Sequence, residues 1–424
     1  MTSSVDDKQG GLESEFEHSP VPQSHRKGLA TVAAVWFGFP MILTNAVPGG
    51  VVVAMLGFWK GLGAIAAANL VMLLYVGLLS HRAGSTGRSF ALQATETFGK
   101  VGYVIASGFL ATIVVGWFAF NTGATGATLN SSFGWNKDVV IVVAGLAFIA
   151  ITYAGIRALS LLGAIAAPLF ILVAVIALVI VARSNDLGKV FGYQGVGGGA
   201  MTFGVAVSVI MATFADSGTM TADFTRWSKN GREAVIASAT AFPVASMIAQ
   251  VTGGLVVAAG AIADPATDGG NFLPILTHGH GVALSALAAV FVFVNLGSVC
   301  SHCLYNGAVG WSHILRGRMR IVTLVLGVVG LVVALAGVWS FFLSWLVILS
   351  VFVPPLGGVL IADQFRRHGP RDETFRPTAF IAWAIGAGGA ALVHWVVPQF
   401  SDAVTGLVVA IVAYLVIERV RVQA

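Results

Sequence analysis

Charge is what this chain has least of. Asp, Glu, Lys and Arg make up 10% of its 424 residues, against 57% hydrophobic residues. A soluble domain carries about 25% charged residues, so a water-exposed globule is excluded, and a mean hydropathy of +0.89 marks a polytopic membrane protein. Cysteine is nearly absent as well. Cys300 and Cys303 stand three residues apart in one apolar run, which excludes a disulfide framework and leaves the redox compartment unread. The net charge of +5 is scattered through loops and forms no patch, so nucleic acid is not an expected partner. The first 28 residues are polar and acidic and end in His25-Arg26-Lys27. They lack the short apolar core of a cleavable signal, so the first span is expected to direct insertion. No separate soluble domain and no low-complexity linker interrupts the remainder.

What is present is a series of apolar windows of about 15–25 residues, the length that crosses a bilayer. Twelve can be laid out: Leu29–Met55, Gly61–Leu79, Val101–Thr128, Val139–Ala154, Leu159–Val181, Met201–Met220, Ala234–Ala261, Leu284–Val309, Ile321–Ala336, Phe341–Ala362, Thr378–Val393 and Val404–Ile417. With this count, nineteen of the 23 basic residues fall on the side of the N-terminus, from Lys8 to Arg421. Only Lys60, Lys137, Arg183 and Lys189 lie opposite. The asymmetry predicts cytoplasmic termini and supports the count, since a wrong number of spans would scramble it. The expected fold is therefore an all-α bundle of twelve transmembrane helices in a plasma (inner) membrane, with the lipid bilayer as its solvent.

Two spans look discontinuous. The first carries Pro40 and then Asn45-Ala46-Val47-Pro48-Gly49-Gly50; the sixth carries Asp216-Ser217-Gly218. Five spans apart, they cross in opposite directions, and interrupted helices at matching positions of inverted halves point to a midplane binding site. The glycines Gly49, Gly50 and Gly218 are the expected points of breakage. Pro and Gly are also common in continuous membrane helices, but Asp216 is the acidic residue set well inside a span, and a charge at that depth is expensive unless it lines a cavity or ion path. The alternative for Asp216 is a polar residue satisfied by a neighbouring helix.

Other residues fit a ligand site at this depth. Trp117, after Gly116 in the third span, offers a platform for a planar ligand. Phe214, next to Thr213 in the sixth, offers the opposite wall, since aromatic faces stack on flat heterocycles. Asn295, Ser298 and His302 in the eighth span share one helical face, a stripe of donors and acceptors for a substrate or cation. His302 is open to two roles, proton handling or helix packing. Cys300-Ser301-His302-Cys303 superficially suggests a metal site, but zinc requires four ligands and no companion cluster exists in the sequence. Pro354-Pro355 with Gly357-Gly358 in the tenth span fits a kinked or gating helix.

These motifs resemble the cytosine permeases of the nucleobase:cation symporter-1 family. The resemblance rests on Pro20-Val21-Pro22, Arg26-Lys27-Gly28, Gly49-Gly50, Val115-Gly116-Trp117-Phe118, the run Ser217 to Phe224, Asn295, Leu304-Tyr305 and the run Pro354 to Asp363, all in family order. It implies a LeuT-type architecture: two inverted five-helix repeats (residues 29–181 and 201–362), two additional helices (378–417), and cytoplasmic tails at 1–28 and 418–424. It also implies alternating-access symport of a planar nitrogen heterocycle with Na⁺ or H⁺, no other cofactor, and a monomeric working unit. By position, Trp117 and Phe214 would sandwich the base with Thr213, Asp216, Asn295 and His302 around it. Ser298, the backbone carbonyl of Ile42 and Asp216 would hold the cation.

The chain departs from that pattern at four places. Val114 replaces a glutamine, Asp216 a serine, Val299 a hydroxyl residue and Cys300 an asparagine. Base recognition is thus partly rewritten and one sodium ligand is missing. A carboxylate at the slot suits an aminopyrimidine; hydroxymethylpyrimidine, a thiamine-like cation, a purine or a hydantoin remains open as cargo. An intramembrane enzyme would need a catalytic pair, for which Asp216 with His302 is the candidate. A receptor would be expected to carry a soluble signalling domain. Symport fits these residues best.

Overall fold

A computed structural model of the chain describes residues 14–196, 201–266, 268–277, 279–366 and 373–423. The first thirteen residues of the tail, and with them Lys8, lie outside this set, as do Arg367 and Arg371. The structure is helical throughout, in the order α1 (Leu29–Gly38), α2 (Leu43–Leu56), α3 (Phe58–Thr86), α4 (Phe90–Phe98), α5 (Tyr103–Phe133), α6 (Lys137–Ala154), α7 (Ile156–Ser184), α8 (Phe203–Ala212), α9 (Ala215–Thr219), α10 (Ala222–Thr225), α11 (Gly231–Ala239), α12 (Ser246–Ala258), α13 (Leu273–Thr277), α14 (Val282–Leu315), α15 (Met319–Leu335), α16 (Phe342–Phe365), α17 (Pro377–Val396) and α18 (Asp402–Gln423).

Nine helices among the described residues are long and apolar enough to cross a membrane, and α1 with α2, bent by 56°, supplies a tenth crossing. The sixth and ninth expected spans correspond to shorter apolar helices, Phe203–Ala212 and Met319–Leu335. Several helices turn large apolar side chains outward, as α15 does with Val325, Val328 and Val332. Such a surface is stable only where lipid replaces water.

The spans pack in two groups. In one, α5, α6, α14 and α15 lie against each other; in the other, α2, α3, α8, α11 and α12 do. The seventh span passes from α11 to α12 through a π-type turn at Thr240–Ala245. α17 and α18 pair and rest on α16.

The breaks are where the sequence placed them by span, and Pro40 falls within the first, but the glycines read as break points do not. The first span is interrupted over residues 39–42, with Ile42 extended at φ −131°, ψ 155°. Gly49 and Gly50, read as break points, are helical within α2, and Pro48 is accommodated in the same helix. Their reason is packing: a Cβ on Gly49 would lie 2.5 Å from the Gln250 Cα of α12. Gly218 likewise is helical, inside α9; the sixth span breaks on either side of it, at Thr213–Phe214 and Met220–Thr221. α16 runs continuously through Pro354 and Pro355.

Candidate functional site

The two breaks face each other and leave a cleft between them. Phe39 and Ile42 enter it from the first break, Thr44 and Asn45 from α2, and Thr213, Phe214 and Ser217 from the second break. Trp117 and Asn121 come from α5, Val299 and Cys303 from α14, and Phe342 from α16. The walls are aromatic and interlocked. Phe39 meets Phe214 edge-on, centroids 5.2 Å apart at 85°. Trp117 meets Phe342 at 6.0 Å and 71°. An edge-to-face pair of this kind holds each ring at a fixed angle, presenting a flat face to a flat ligand.

The polar lining is sparse and oriented. Thr44 Oγ1 donates to Asn121 Oδ1 at 2.9 Å, and Asn121 Nδ2 donates to the Trp117 carbonyl at 3.0 Å. Each of those Asn121 atoms retains hydrogen-bonding capacity, one lone pair on the oxygen and one N–H on the nitrogen. Asn45, by contrast, has no donor left to offer. Its Nδ2 donates to the Pro40 carbonyl at 2.8 Å and to Ser246 Oγ at 3.2 Å, and its Oδ1 accepts from Gln250 Nε2 at 2.9 Å. Asn69 of α3 completes this chain by donating to Gln250 Oε1 at 2.7 Å.

Of the residues singled out from the sequence, Trp117, Phe214, Thr213 and Ile42 line the cleft, whereas Asp216, Asn295, Ser298 and His302 do not. Asn295 is committed to the first break. Its Oδ1 accepts from Leu43 N at 2.8 Å and its Nδ2 donates to the Met41 carbonyl at 2.9 Å, so one amide bridges the unwound backbone. Ser298 Oγ donates to the Gly38 carbonyl at 3.4 Å. His302 bonds through Nδ1 to the Ser298 carbonyl and stacks on Phe39 at 4.9 Å. Asp216 is fully buried one residue behind the lining. The indole N–H of Trp117 stands beside its carboxylate, yet neither carboxylate oxygen completes a well-formed hydrogen bond among the described residues. No hydrogen bond or ion pair joins Asp216 to His302 there.

Thr44, Asn45, Asn121, Ser217 and Cys303 were not anticipated as lining. One of them carried a signal: Asn121 follows Trp117 by four residues, one turn along the same face of α5. The others depend on which helix packs opposite.

A cleft between two broken, oppositely directed spans, sealed by aromatic rings within a membrane bundle, defines a secondary transporter. The chain belongs to the permease family for cytosine/purines, uracil, thiamine and allantoin, which it matches over residues 20–408. It is 27% identical over 388 residues to the cytosine permease of Escherichia coli strain K12, covering 90% of both chains, and equally so to that of strain O157:H7. Among solved structures it superposes on Mhp1, a nucleobase-cation-symport-1 family transporter in a closed conformation with bromovinylhydantoin bound. The TM-score is 0.81, at 21% identity over 95% of this chain and 94% of that one. A Na⁺-coupled sialic acid symporter shares the fold at a TM-score of 0.73 and 14% identity, covering 97% of this chain and 93% of the other. The fold is thus LeuT-type, and the protein is a multi-pass membrane transporter of small heterocycles, not an enzyme.

Proposed function

We propose that this protein imports a cytosine-like aminopyrimidine by alternating access, as a monomer in the inner membrane with both termini cytoplasmic, in symport with Na⁺ or H⁺. The observation that carries the substrate class is the slot itself. Trp117, Phe214 and Phe39 wall a narrow space, and among the described residues Asn121 is the lining amide that keeps both an acceptor and a donor open at its edge. An aminopyrimidine presents that same alternation of donor and acceptor on its rim.

Of the two ions, the proton is favoured. Val299, next to Ser298 on α14, brings no side-chain oxygen to the first break. A hard cation there would be short of ligands, whereas Asp216 supplies a buried carboxylate with open lone pairs and so a place for a proton. The test is counterflow of labelled cytosine in proteoliposomes, with uracil, hypoxanthine, hydroxymethylpyrimidine and a hydantoin as competitors. Each is run under an imposed pH or Na⁺ gradient. Competition by cytosine above the others, with uptake driven by pH, is expected. Preference for a hydantoin or a purine would overturn the substrate assignment, and Na⁺-driven uptake indifferent to pH would overturn the ion.

A further inference from the structure

The N-terminal residues do not lie free on the membrane surface. Glu15, only 4% exposed, reaches into the end of the bundle on the tail side. Its Oε1 accepts from Ile156 N at 3.1 Å and its Oε2 accepts from the Tyr305 hydroxyl at 2.8 Å. Arg226, just past α10, donates to the carbonyls of Glu15 at 2.8 Å and Phe16 at 2.9 Å. Two residues on, Glu17 Oε1 accepts from Met319 N at 3.2 Å, and the Glu17 carbonyl pairs with His313 Nδ1 at 3.2 Å.

The sequence around these contacts is built to receive them. Ile156 and Met319 are the first residues of α7 and α15, and neither helix has a side-chain cap of its own: the cap positions are Gly155 and Arg318. A helix N-terminus leaves backbone N–H groups unpaired and favours a negative charge. Glu15 and Glu17 supply both needs from the tail. Gly155 sits at φ +87°, and a Cβ there would collide with Glu15 Oε1, so a glycine keeps the berth open. Burial pushes the Glu15 carboxyl above its usual range, opposed by Tyr305, the Ile156 N–H, Arg226 and Arg320.

The tail thereby touches both packing groups: Arg226, which grips the Glu15 and Phe16 carbonyls, follows α10, and α10 packs on α3, whereas the Glu15 and Glu17 carboxylates are held by Tyr305 of α14 and Met319 of α15. Arg226 ends the sixth span; Tyr305 and Met319 belong to α14 and α15. We propose that residues 15–17 of the tail are a latch across the tail-side mouth of the transport path, and that they must leave the Ile156–Arg226–Tyr305 berth before the cleft opens to that side. This rests on the alternating-access reading above, in that a latch matters only if the two groups separate.

Cys303 lines the cleft and serves as a native reporter. In a Cys300→Ser background, reconstituted in one orientation, a membrane-impermeant maleimide is applied from the tail side. The double variant Glu15→Ala/Glu17→Ala is expected to label Cys303 about tenfold faster than its parent, because the lost charge-assisted bonds bias the equilibrium toward the open state. Labelling from the opposite side should not rise. Tyr305→Phe, which removes one hydroxyl, should give a smaller increase in the same direction. If the double variant does not fold, Glu15→Gln combined with Tyr305→Phe is read in the same way. A rate within about twofold of the parent, or an equal rise from both sides, overturns the latch. Cytosine counterflow by the parent in the same vesicles keeps the two readings apart: its absence overturns the transport assignment, whereas intact counterflow with unchanged labelling overturns the latch alone.

Discussion

The two broken spans look alike in sequence, yet their polar atoms are treated in opposite ways. At the first break neighbouring side chains meet much of the polar backbone that the unwinding exposes. Asn295 bridges Met41 and Leu43, Ser298 reaches Gly38, and Asn45 ties Pro40 to the Ser246–Gln250–Asn69 chain. At the sixth span Thr213 satisfies itself on the Ile210 carbonyl at 2.7 Å, and the Asp216 carboxylate is left with open lone pairs. Unwound backbone inside a membrane persists only where protein or a cavity meets it. The first break is met by protein; the sixth carries polar capacity in reserve. One is scaffold and the other is where charge is expected to change during transport.

The sharpest way to break this contrast is Asp216→Asn. If the carboxylate carries the coupled proton, the amide keeps shape and loses the titrating group. Accumulation driven by a pH gradient should fall to background while counterflow of cytosine persists. Folding stability should hold or rise by about 1–3 kcal/mol, since a buried group with unmet charge is exchanged for a neutral one. Retained pH-driven uptake would sink the assignment.

Asn295→Leu probes the other side of the contrast. Leucine nearly matches asparagine in length but leaves the Leu43 N–H and the Met41 carbonyl unpaired in the interior. Each such group costs about 1–3 kcal/mol, so a loss of about 2–5 kcal/mol is expected, read as a fall in the melting temperature of the purified protein. Should melting stay unchanged and only cytosine affinity drop, Asn295 acts on the ligand and the first break is not the fixed one.

How far these roles could be read beforehand differs between the two breaks for a physical reason. Asp216 announces itself, because a carboxylate in an apolar run is costly wherever the chain folds. Trp117 and Phe214 were legible too, as two flat surfaces, and both line the cleft. Asn295 was not, because an amide facing inward reads the same whether it meets a ligand or a backbone 254 residues away in sequence. Gly49 and Gly50 misled for a similar reason. Glycine permits both a broken helix and a close approach, and only the presence of Gln250 across from Gly49 decides between them. Glu15 escaped notice because a polar tail gives no periodicity to read; its burial depends on Ile156 and Tyr305, far along the chain.

Trp117→Ala should weaken binding by about 1–3 kcal/mol, the worth of stacking one base on an aromatic face, or roughly 5- to 150-fold in Kd. Trp117→Phe should recover most of that. Titration calorimetry with cytosine reads both variants. Equal losses in the two would mean that the indole N–H beside Asp216, and not the ring face, is what the ligand uses.

The smallest expected effect is the most specific. Thr44 and the Trp117 carbonyl together pin the Asn121 amide, the hydroxyl fixing its oxygen and the carbonyl its nitrogen. An amide held at both ends cannot exchange donor for acceptor, so it distinguishes an amino group from an oxo group on the ring edge. Thr44→Val keeps the volume and removes the donor to Oδ1. The amide is then fixed only by the Trp117 carbonyl, and the preference for cytosine over uracil should narrow by about 1 kcal/mol, the net worth of one hydrogen bond, or roughly fivefold in relative Kd. The change should appear in the ratio and not in the melting temperature. An unchanged ratio would move recognition of the ring edge away from Asn121, leaving the sixth break, with Ser217 exposed to the cleft, to supply it.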